Sequence, residues 1–180
     1  MRFQKTKLDG VYLVEPERAE DERGFFARTW CSREAAELSL QRTWVQSSVS
    51  FNKRKGTLRG MHYQVAPHAE TKLVRCTRGS VFDVVVDLRC GSSTYCQWCG
   101  FELSAENGRQ LYIPADCAHG FLTLCDDSEL CYEISEFYQP GSSTGVRWDD
   151  VAFGIDWPAP VKVINPRDAT FPPFVPKSAG

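Results

Sequence analysis

Histidine is the first residue type to consider, because only His62, His68 and His119 are present. Metal-binding β-barrels usually place two histidines one residue apart, since alternate strand residues share a face and can hold one ion. Here the corresponding run is His62-Tyr63-Gln64, a pattern that disfavours a catalytic metal. Imidazole titrates near neutral pH, so His62 remains a candidate general acid or base without any metal ion.

A second candidate is Asp83, which interrupts the apolar run between Val81 and Val86. A buried carboxylate needs a partner or loses its charge, and Lys72 and His119 are the candidates to provide one. Two interpretations stand. Asp83 either belongs to a buried polar network that holds the strands together or tunes a catalytic lysine.

Two pairs of positions indicate side chains that share a cavity. Tyr132 and Tyr138 are six residues apart in one predicted strand, so both phenols would project to the same side, as packing groups or as a proton donor. Arg59 and His62 differ in strand parity, so both can line one cavity only if the strand bulges. Gly60 between them permits such a bulge.

The composition is typical of a soluble globular protein. A chain of 180 residues with 42% hydrophobic content can fill a core, and we expect one domain over residues 1–180. Its 21 basic and 23 acidic residues give a net charge of -2, so no broad basic field exists for nucleic acid. Apolar runs are far shorter than the ~20 residues of a membrane span, and no signal peptide is recognisable. We therefore expect a cytoplasmic protein that binds neither nucleic acid nor membranes.

The eight cysteines are expected to be reduced, because no export signal precedes them and several lie in apolar runs. The one metal-like spacing is Cys96-Gln97-Trp98-Cys99, which has no second pair and no histidine cluster nearby. In a strand these two thiols would face opposite sides. The pair is therefore assigned no function.

Short segments rich in Val, Phe, Tyr and Trp, separated by glycine and proline, predict an all-β fold. The predicted strands are 11–15, 44–50, 57–63, 72–77, 81–88, 96–103, 109–113, 119–125 and 129–138. One helix is predicted over 33–40, capped by Ser32. Many short strands joined by turns indicate a sandwich or jelly-roll barrel. The proline-rich tail from Trp157 is expected to lie extended across the barrel surface, and such a tail can carry a side chain such as Asp168 back over a barrel mouth.

Six segments together resemble the dTDP-4-dehydrorhamnose 3,5-epimerase family over nearly the whole chain. They read DERGFF at 21–26, GTLRGMHYQ at 56–64, KLVR at 72–75, FDVVVDLR at 82–89, IPADCAHGF at 113–121 and RWDD at 147–150. The resemblance implies a cupin-type jelly roll, a homodimer with strand exchange, and neither a metal nor an organic cofactor. It also implies a dTDP-4-keto-6-deoxyhexose substrate, whose ketone acidifies the hydrogens at C3 and C5.

The resemblance implies a role for each candidate residue. His62 would remove the proton, and Asp168 would hold its imidazole. Lys72 would stabilise the enolate oxygen at C4, and Tyr132 would return a proton from the opposite face of the sugar. The positions implied to bind substrate are Arg23, Phe26, Gln46, Ser48, Arg59, His119, Tyr138 and Arg167, with Asp83 in a supporting role.

Related activities stay open at this point. The family often has glutamate at Arg28, asparagine at Ser48, and a glutamate in the loop that reads Ser142-Ser143-Thr144 here. The differences at Arg28 and Ser48 leave the identity of the nucleotide base open. The difference in the loop leaves open whether C3, C5 or both are inverted. The alternatives are a 3-only or 5-only epimerase, a 3,4-ketoisomerase of another nucleotide sugar, and a non-catalytic nucleotide-sugar binding barrel. The single histidine in the His62 motif argues against a metal-dependent cupin oxygenase.

Overall fold

Residues 1–41 and 43–176 are described by a computed structural model. Within these ranges the chain forms fourteen strands and two short helices. In chain order they are β1 (Arg2–Lys5), β2 (Tyr12–Glu15), β3 (Arg18–Asp21), β4 (Gly24–Ala27), α1 (Ser32–Glu37), β5 (Gln46–Asn52), β6 (Thr57–Gln64), β7 (Lys72–Arg78), β8 (Ser80–Asp87), β9 (Trp98–Ser104), β10 (Gln110–Ile113), β11 (Cys117–Thr123), β12 (Ser128–Ile134), β13 (Ser143–Gly145), β14 (Val163–Ile164) and α2 (Pro166–Ala169).

Two sheets contain most of these strands. The first sheet has the order β1-β2-β10-β7-β12-β5, and the second has the order β13-β6-β11-β8-β9, with β14 parallel to β6. Strands β3 and β4 form a separate hairpin. This architecture confirms the predicted all-β jelly-roll class.

The hydrophobic core lies between the two sheets and follows from strand alternation. On β7, Val74 and Cys76 point inward, while β8 contributes Val81 and Val85 from the facing sheet. Because alternate residues share a face, Lys72 continues the inward row of β7. The sequence pattern that builds the core therefore also directs an ammonium group into the space between the sheets.

The C-terminal segment covers the outer face of the second sheet. Phe153 packs there against Met61 and Val84, with Trp157 and Phe174 alongside. The segment is not uniformly extended, as the sequence suggested, because it contains β14 and the single turn α2. This packing places α2 beside β6.

Local backbone conformation moves several predicted boundaries. Helix α1 ends at Glu37 because Ser39 adopts a φ of 57°, which a right-handed helix does not accommodate. Its N-cap is Cys31, whose side chain makes no capping hydrogen bond, so the predicted Ser32 cap is wrong. Strand β9 begins at Trp98, after Cys96 with its φ of 62°.

The eight cysteines are all free thiols. Cys99 is buried in β9, whereas Cys96 precedes that strand. None of the described helices is long and apolar enough to cross a membrane.

Candidate active site

A cavity of about 380 Å³ lies between the two sheets and is lined from both of them. The first sheet contributes β5, β7 and β12, and the second contributes β6, β11 and β13. The lining residues are Gln46, Ser48, Ser50, Arg59, His62, Tyr63, Gln64, Glu70, Lys72, His119, Phe121, Tyr132, Ile134, Tyr138, Ser143 and Arg167. Nine predicted site residues therefore meet in one space, and Asp168 and Asp83 contact two of them.

His62 on β6 is paired with Asp168 of α2. The Nε2 atom of His62 lies 2.7 Å from Oδ1 of Asp168, and the His62 side chain stays 38% exposed while that of Asp168 is 6% exposed. Burial alone would raise the pKa of the Asp168 carboxyl. The hydrogen bond and charge of His62, together with the Gly60 N–H, instead hold that pKa below its ordinary value.

Helix α2 holds Asp168 in place through its own first turn. Pro166 occupies the first helical turn, and the Asn165 side chain accepts the N–H of Arg167. The second carboxylate oxygen of Asp168 accepts the backbone N–H of Gly60 at 3.1 Å. Both oxygens of the carboxylate are thereby fixed against β6.

A bulge in β6 brings Arg59 and His62 to the same face. The pairing of β6 with β11 shifts between His119 opposite His62 and Phe121 opposite Arg59, so β6 carries one extra residue. Gly60 lies within the shift with a φ of +135°, and a Cβ there would lie 2.5 Å from the Cα of Gly120. The parity prediction from the sequence is confirmed.

Lys72 pairs with Glu70 and not with Asp83. Its Nζ atom lies 2.9 Å from Oε1 of Glu70, and the two side chains are 9% and 10% exposed. The same nitrogen donates a longer hydrogen bond of 3.4 Å to the backbone oxygen of His62. Of the two candidate partners that the sequence offered for Asp83, Lys72 is therefore not the one used, because it is paired with Glu70 in the same cavity.

Asp83 is fully buried and forms a short hydrogen bond with Nε2 of His119. Its other carboxylate oxygen has no hydrogen-bond partner among the described residues. His119 is itself 4% exposed and lines the cavity. From the sequence, His119 could be either a buried, hydrogen-bonded residue or a residue of the pocket. In the structure it is both.

Tyr132 lies on β12 of the first sheet, whereas His62 and His119 lie on the second sheet. Its side chain projects toward His119. The rings of Tyr132 and His119 are 6.0 Å apart in an edge-on arrangement. Burial raises the pKa of the Tyr132 phenol, and the nearby charge of Asp83 adds to that shift, while Arg59 and a hydrogen bond with Ser50 oppose it. The phenol consequently stays protonated and available as a donor.

Tyr138 reaches the cavity by a different route from the predicted one. Strand β12 ends at Ile134, so Tyr138 lies outside it and the same-strand prediction is wrong. Its backbone N–H instead donates to Oε1 of Gln46 at 2.6 Å, which ties the Tyr138 segment to the start of β5. The ring is 56% exposed.

Two guanidinium groups line the cavity. Arg59 is held by its Nε atom, which donates to Oδ1 of the buried Asn52 at 2.7 Å. Arg167 donates from Nη2 to the backbone oxygen and the hydroxyl of Ser143, at 3.1 and 3.2 Å. Neither group forms a salt bridge with another described residue, so both remain available for an anion.

Arg23 and Phe26 lie apart from this cavity. They belong to the β3–β4 hairpin, where the Arg23 side chain is 84% exposed and pairs with Asp21. Phe26 is 78% exposed. Within this chain the structure does not bring these two predicted substrate-binding residues to the other site residues.

Some site residues were not found by sequence reasoning. Glu70 follows Pro67 in a segment that belongs to no strand, so strand alternation could not predict which way its side chain points. Ser50 shares the inward face of β5 with Gln46 and Ser48, so extending that alternation by one step would have identified it. In the described part of the chain, no group of three or more His, Cys, Asp or Glu residues is arranged to hold a metal ion.

Comparisons with known proteins agree with this arrangement. The family model described as dTDP-4-dehydrorhamnose 3,5-epimerase matches residues 5–175. A dTDP-4-dehydrorhamnose 3,5-epimerase from Sinorhizobium fredii is 42% identical over 177 residues, covering 96% of this chain and 89% of that protein.

Two solved structures share the fold closely. A dTDP-4-dehydrorhamnose 3,5-epimerase from Elizabethkingia anophelis superposes with a TM-score of 0.93 at 39% identity, covering 97% of this chain and 96% of that one. A dTDP-6-deoxy-D-glucose-3,5-epimerase from Legionella pneumophila, in complex with dTDP-4-keto-L-rhamnose, gives a TM-score of 0.87 at 39% identity, covering 93% and 89%. The chain belongs to the dTDP-4-dehydrorhamnose 3,5-epimerase family.

Proposed function

We propose that this protein epimerises a dTDP-4-keto-6-deoxyhexose at C3, at C5 or at both, by removing and returning a proton through an enolate. The observation that carries the proposal is the placement of the two proton-transfer groups. The His62–Asp168 pair belongs to the second sheet and its covering tail, whereas Tyr132 belongs to the first sheet. A sugar ring bound between them would meet a base on one face and an acid on the other.

His62 acts as the base in this scheme. When Nε2 donates its hydrogen to Asp168, the lone pair of Nδ1 is free to accept a proton from carbon. The Asp168 carboxylate then stabilises the imidazolium that forms, as a buried carboxylate does for a catalytic histidine in other enzymes. The carbon–hydrogen electron pair moves toward the C4 ketone, whose oxygen becomes the enolate oxygen.

Lys72 stabilises that oxygen. The Lys72 side chain is 9% exposed, and an ammonium group that is shielded from water attracts the developing charge more strongly than it would in water. Because the substrate's own ketone accepts the electron pair, a base, an acid and a cation are the groups that the chain must supply. All three line or adjoin the cavity.

Tyr132 returns a proton to the carbon from the other face. Burial raises the pKa of this phenol, so the tyrosinate that forms after donation is a strong base that recovers a proton from solvent. The His62 imidazolium releases to solvent the proton that it took from carbon, which restores both groups. The same two residues can therefore act at C5 and then at C3, provided that the ring presents each centre in turn.

Arg59 and Arg167 are proposed to bind the diphosphate, for which a guanidinium offers paired donors. Gln46, Ser48 and Tyr138 would contact the nucleoside or the sugar. Support comes from their positions around the cavity and from the nucleotide sugar in the Legionella relative.

The exposed β3–β4 hairpin supports a homodimer with strand exchange. Arg23 presents a cation to solvent, and the hairpin also exposes two adjacent large apolar residues, Phe25 at 56% and Phe26 at 78%. A concentration of exposed apolar surface is typical of an interaction site. We infer that the hairpin reaches the cavity of a second copy of this chain. There Arg23 would bind the diphosphate and Phe26 would pack against the base.

The test is incubation with dTDP-4-keto-6-deoxyglucose in deuterated water, followed by proton NMR of the sugar. Loss of both the C3 and C5 proton signals, with formation of the doubly inverted product, is the expected result. Loss of one signal would indicate an epimerase of a single centre. Tight dTDP binding without any exchange would overturn the proposal in favour of a binding barrel.

A further inference from the structure

The ammonium group of Lys72 has a defined set of partners. It lies 2.9 Å from the Glu70 carboxylate and 3.4 Å from the backbone oxygen of His62. Among the described residues, this lysine is the only cation that forms a salt bridge with Glu70. Asp83, for which the sequence offered both Lys72 and His119 as partners, is paired with His119.

Burial makes a charged partner important for this lysine. The Lys72 side chain is 9% exposed, and a charge removed from water in this way needs an opposite charge beside it. Glu70 supplies the compensating charge at hydrogen-bond distance, and it does so without using the carboxylate that supports His119.

The hydrogen-bond capacity of the ammonium group then determines where it points. An ammonium group has three N–H donors. One is directed at Glu70 and a second at the His62 carbonyl oxygen, both on protein groups. The third donor is left for the cavity, which Lys72 lines together with the base.

We propose that Glu70 is a positioning residue for Lys72. Its carboxylate holds the ammonium in an ion pair and directs the remaining donor toward the C4 oxygen of the substrate. The inference rests on the proposed function, because the C4 oxygen is the atom on which the lysine acts. Glu70 itself touches no reacting atom in this account, and its effect on catalysis passes through Lys72.

The test compares Glu70→Gln, which keeps the size but removes the charge, with Glu70→Asp, which keeps the charge. Glu102→Gln is the matched control, because Glu102 is exposed on β9 and, among the described residues, its carboxylate accepts a side-chain hydrogen bond only from the Ser80 hydroxyl. For E70Q we expect kcat to fall about 10- to 100-fold, as for loss of a hydrogen bond to a charged group. KM and the Kd for dTDP should stay within about threefold, since the enolate charge is absent from the ground state.

The conservative variant separates charge from packing. E70D should keep more of the kcat than E70Q, and the control should match the parent. A kcat for E70Q within threefold of the parent would overturn the proposal. So would equal losses in E70D and E70Q, or a loss confined to KM.

A measurement that needs no turnover separates this inference from the proposed function. Acetic anhydride acylates lysine amines less readily when an ion pair holds them, so pulse labelling followed by peptide mapping reports how firmly the Lys72 amine is held by Glu70. We expect faster labelling of Lys72 in E70Q than in the parent at pH 8, whether or not the parent epimerises the sugar. Equal labelling rates in correctly folded protein would contradict the role of Glu70, while an inactive parent with faster labelling in E70Q would contradict only the function.

Discussion

Nε2 of His62 and Oδ1 of Asp168 lie 2.7 Å apart although 106 positions separate them in the chain. The contact joins β6 to the tail that covers the outer face of the second sheet. The base is therefore complete only when the tail has packed, which makes catalysis sensitive to changes well outside the cavity.

Replacing Asp168 by Asn should impair the base while leaving substrate binding largely intact. An asparagine can hold the ring but cannot stabilise the imidazolium, so we expect the exchange rate to fall at least ~100-fold. Rates of deuterium uptake by D168N and the parent provide the measurement. Asp149→Asn is the control, since Asp149 forms an exposed pair with Arg147; an equal loss in both variants would contradict the assignment.

The same carboxylate should make stability depend on pH. The pKa of Asp168 is lowered in the folded protein, so its ionised form stabilises the fold at pH values above the ordinary carboxyl pKa of ~4. That contribution is lost as the pH falls through the lowered value. Urea unfolding of the parent and D168N should therefore show a stability difference at pH 7 that narrows toward pH 3. A difference that stays constant over this range would contradict the linkage.

Removing His119 should destabilise the fold. His119→Ala leaves the fully buried Asp83 without its hydrogen-bond partner, and breaking a buried pair in this way costs about 3 kcal/mol or more. Urea unfolding is the measurement and His68→Ala is the control, since the His68 ring forms no hydrogen bond or salt bridge among the described residues. A change under 1 kcal/mol in H119A would contradict the pairing.

Mixed dimers test whether the β3–β4 hairpin acts in the partner's site. Arg23→Ala and His62→Ala should each be nearly inactive alone. If Arg23 serves the partner, a mixed dimer contains one complete site, so random mixing of the two variants should restore about a quarter of the parental activity. Absence of any recovery after mixing, unfolding and refolding would show that Arg23 and His62 serve the same chain's site.

Strand alternation explains which parts of the site were predictable. It identified the need for a bulge between Arg59 and His62, at Gly60, and the shifted pairing of β6 with β11 confirms it. Parity gives the face but not the neighbour on that face, so it could not choose between Lys72 and His119 as the partner of Asp83. It also fails beyond a strand end, which is why Tyr138 was assigned to β12.

The packing of the tail against β6 could not be predicted from local sequence patterns. Prolines predicted an extended segment, and they account for much of its course. The turn α2, which directs Asp168 inward, depends on the Asn165 cap and on packing against the second sheet. Only the family resemblance pointed to a pairing of Asp168 with His62.

The central claim is that a base on one sheet and an acid on the other act on opposite faces of the sugar. The most direct test is to replace each group in turn and to measure proton removal and inversion separately. Tyr132→Phe removes the acid but leaves the base, so His62 should still take a proton and return deuterium to the same face. Proton NMR in deuterated water should then show deuterium entering the sugar with product formation reduced at least ~100-fold. His62→Ala should show neither exchange nor product. Full inversion by Y132F, or exchange at the parental rate by H62A, would contradict the account of a base and an acid on opposite sides of the substrate.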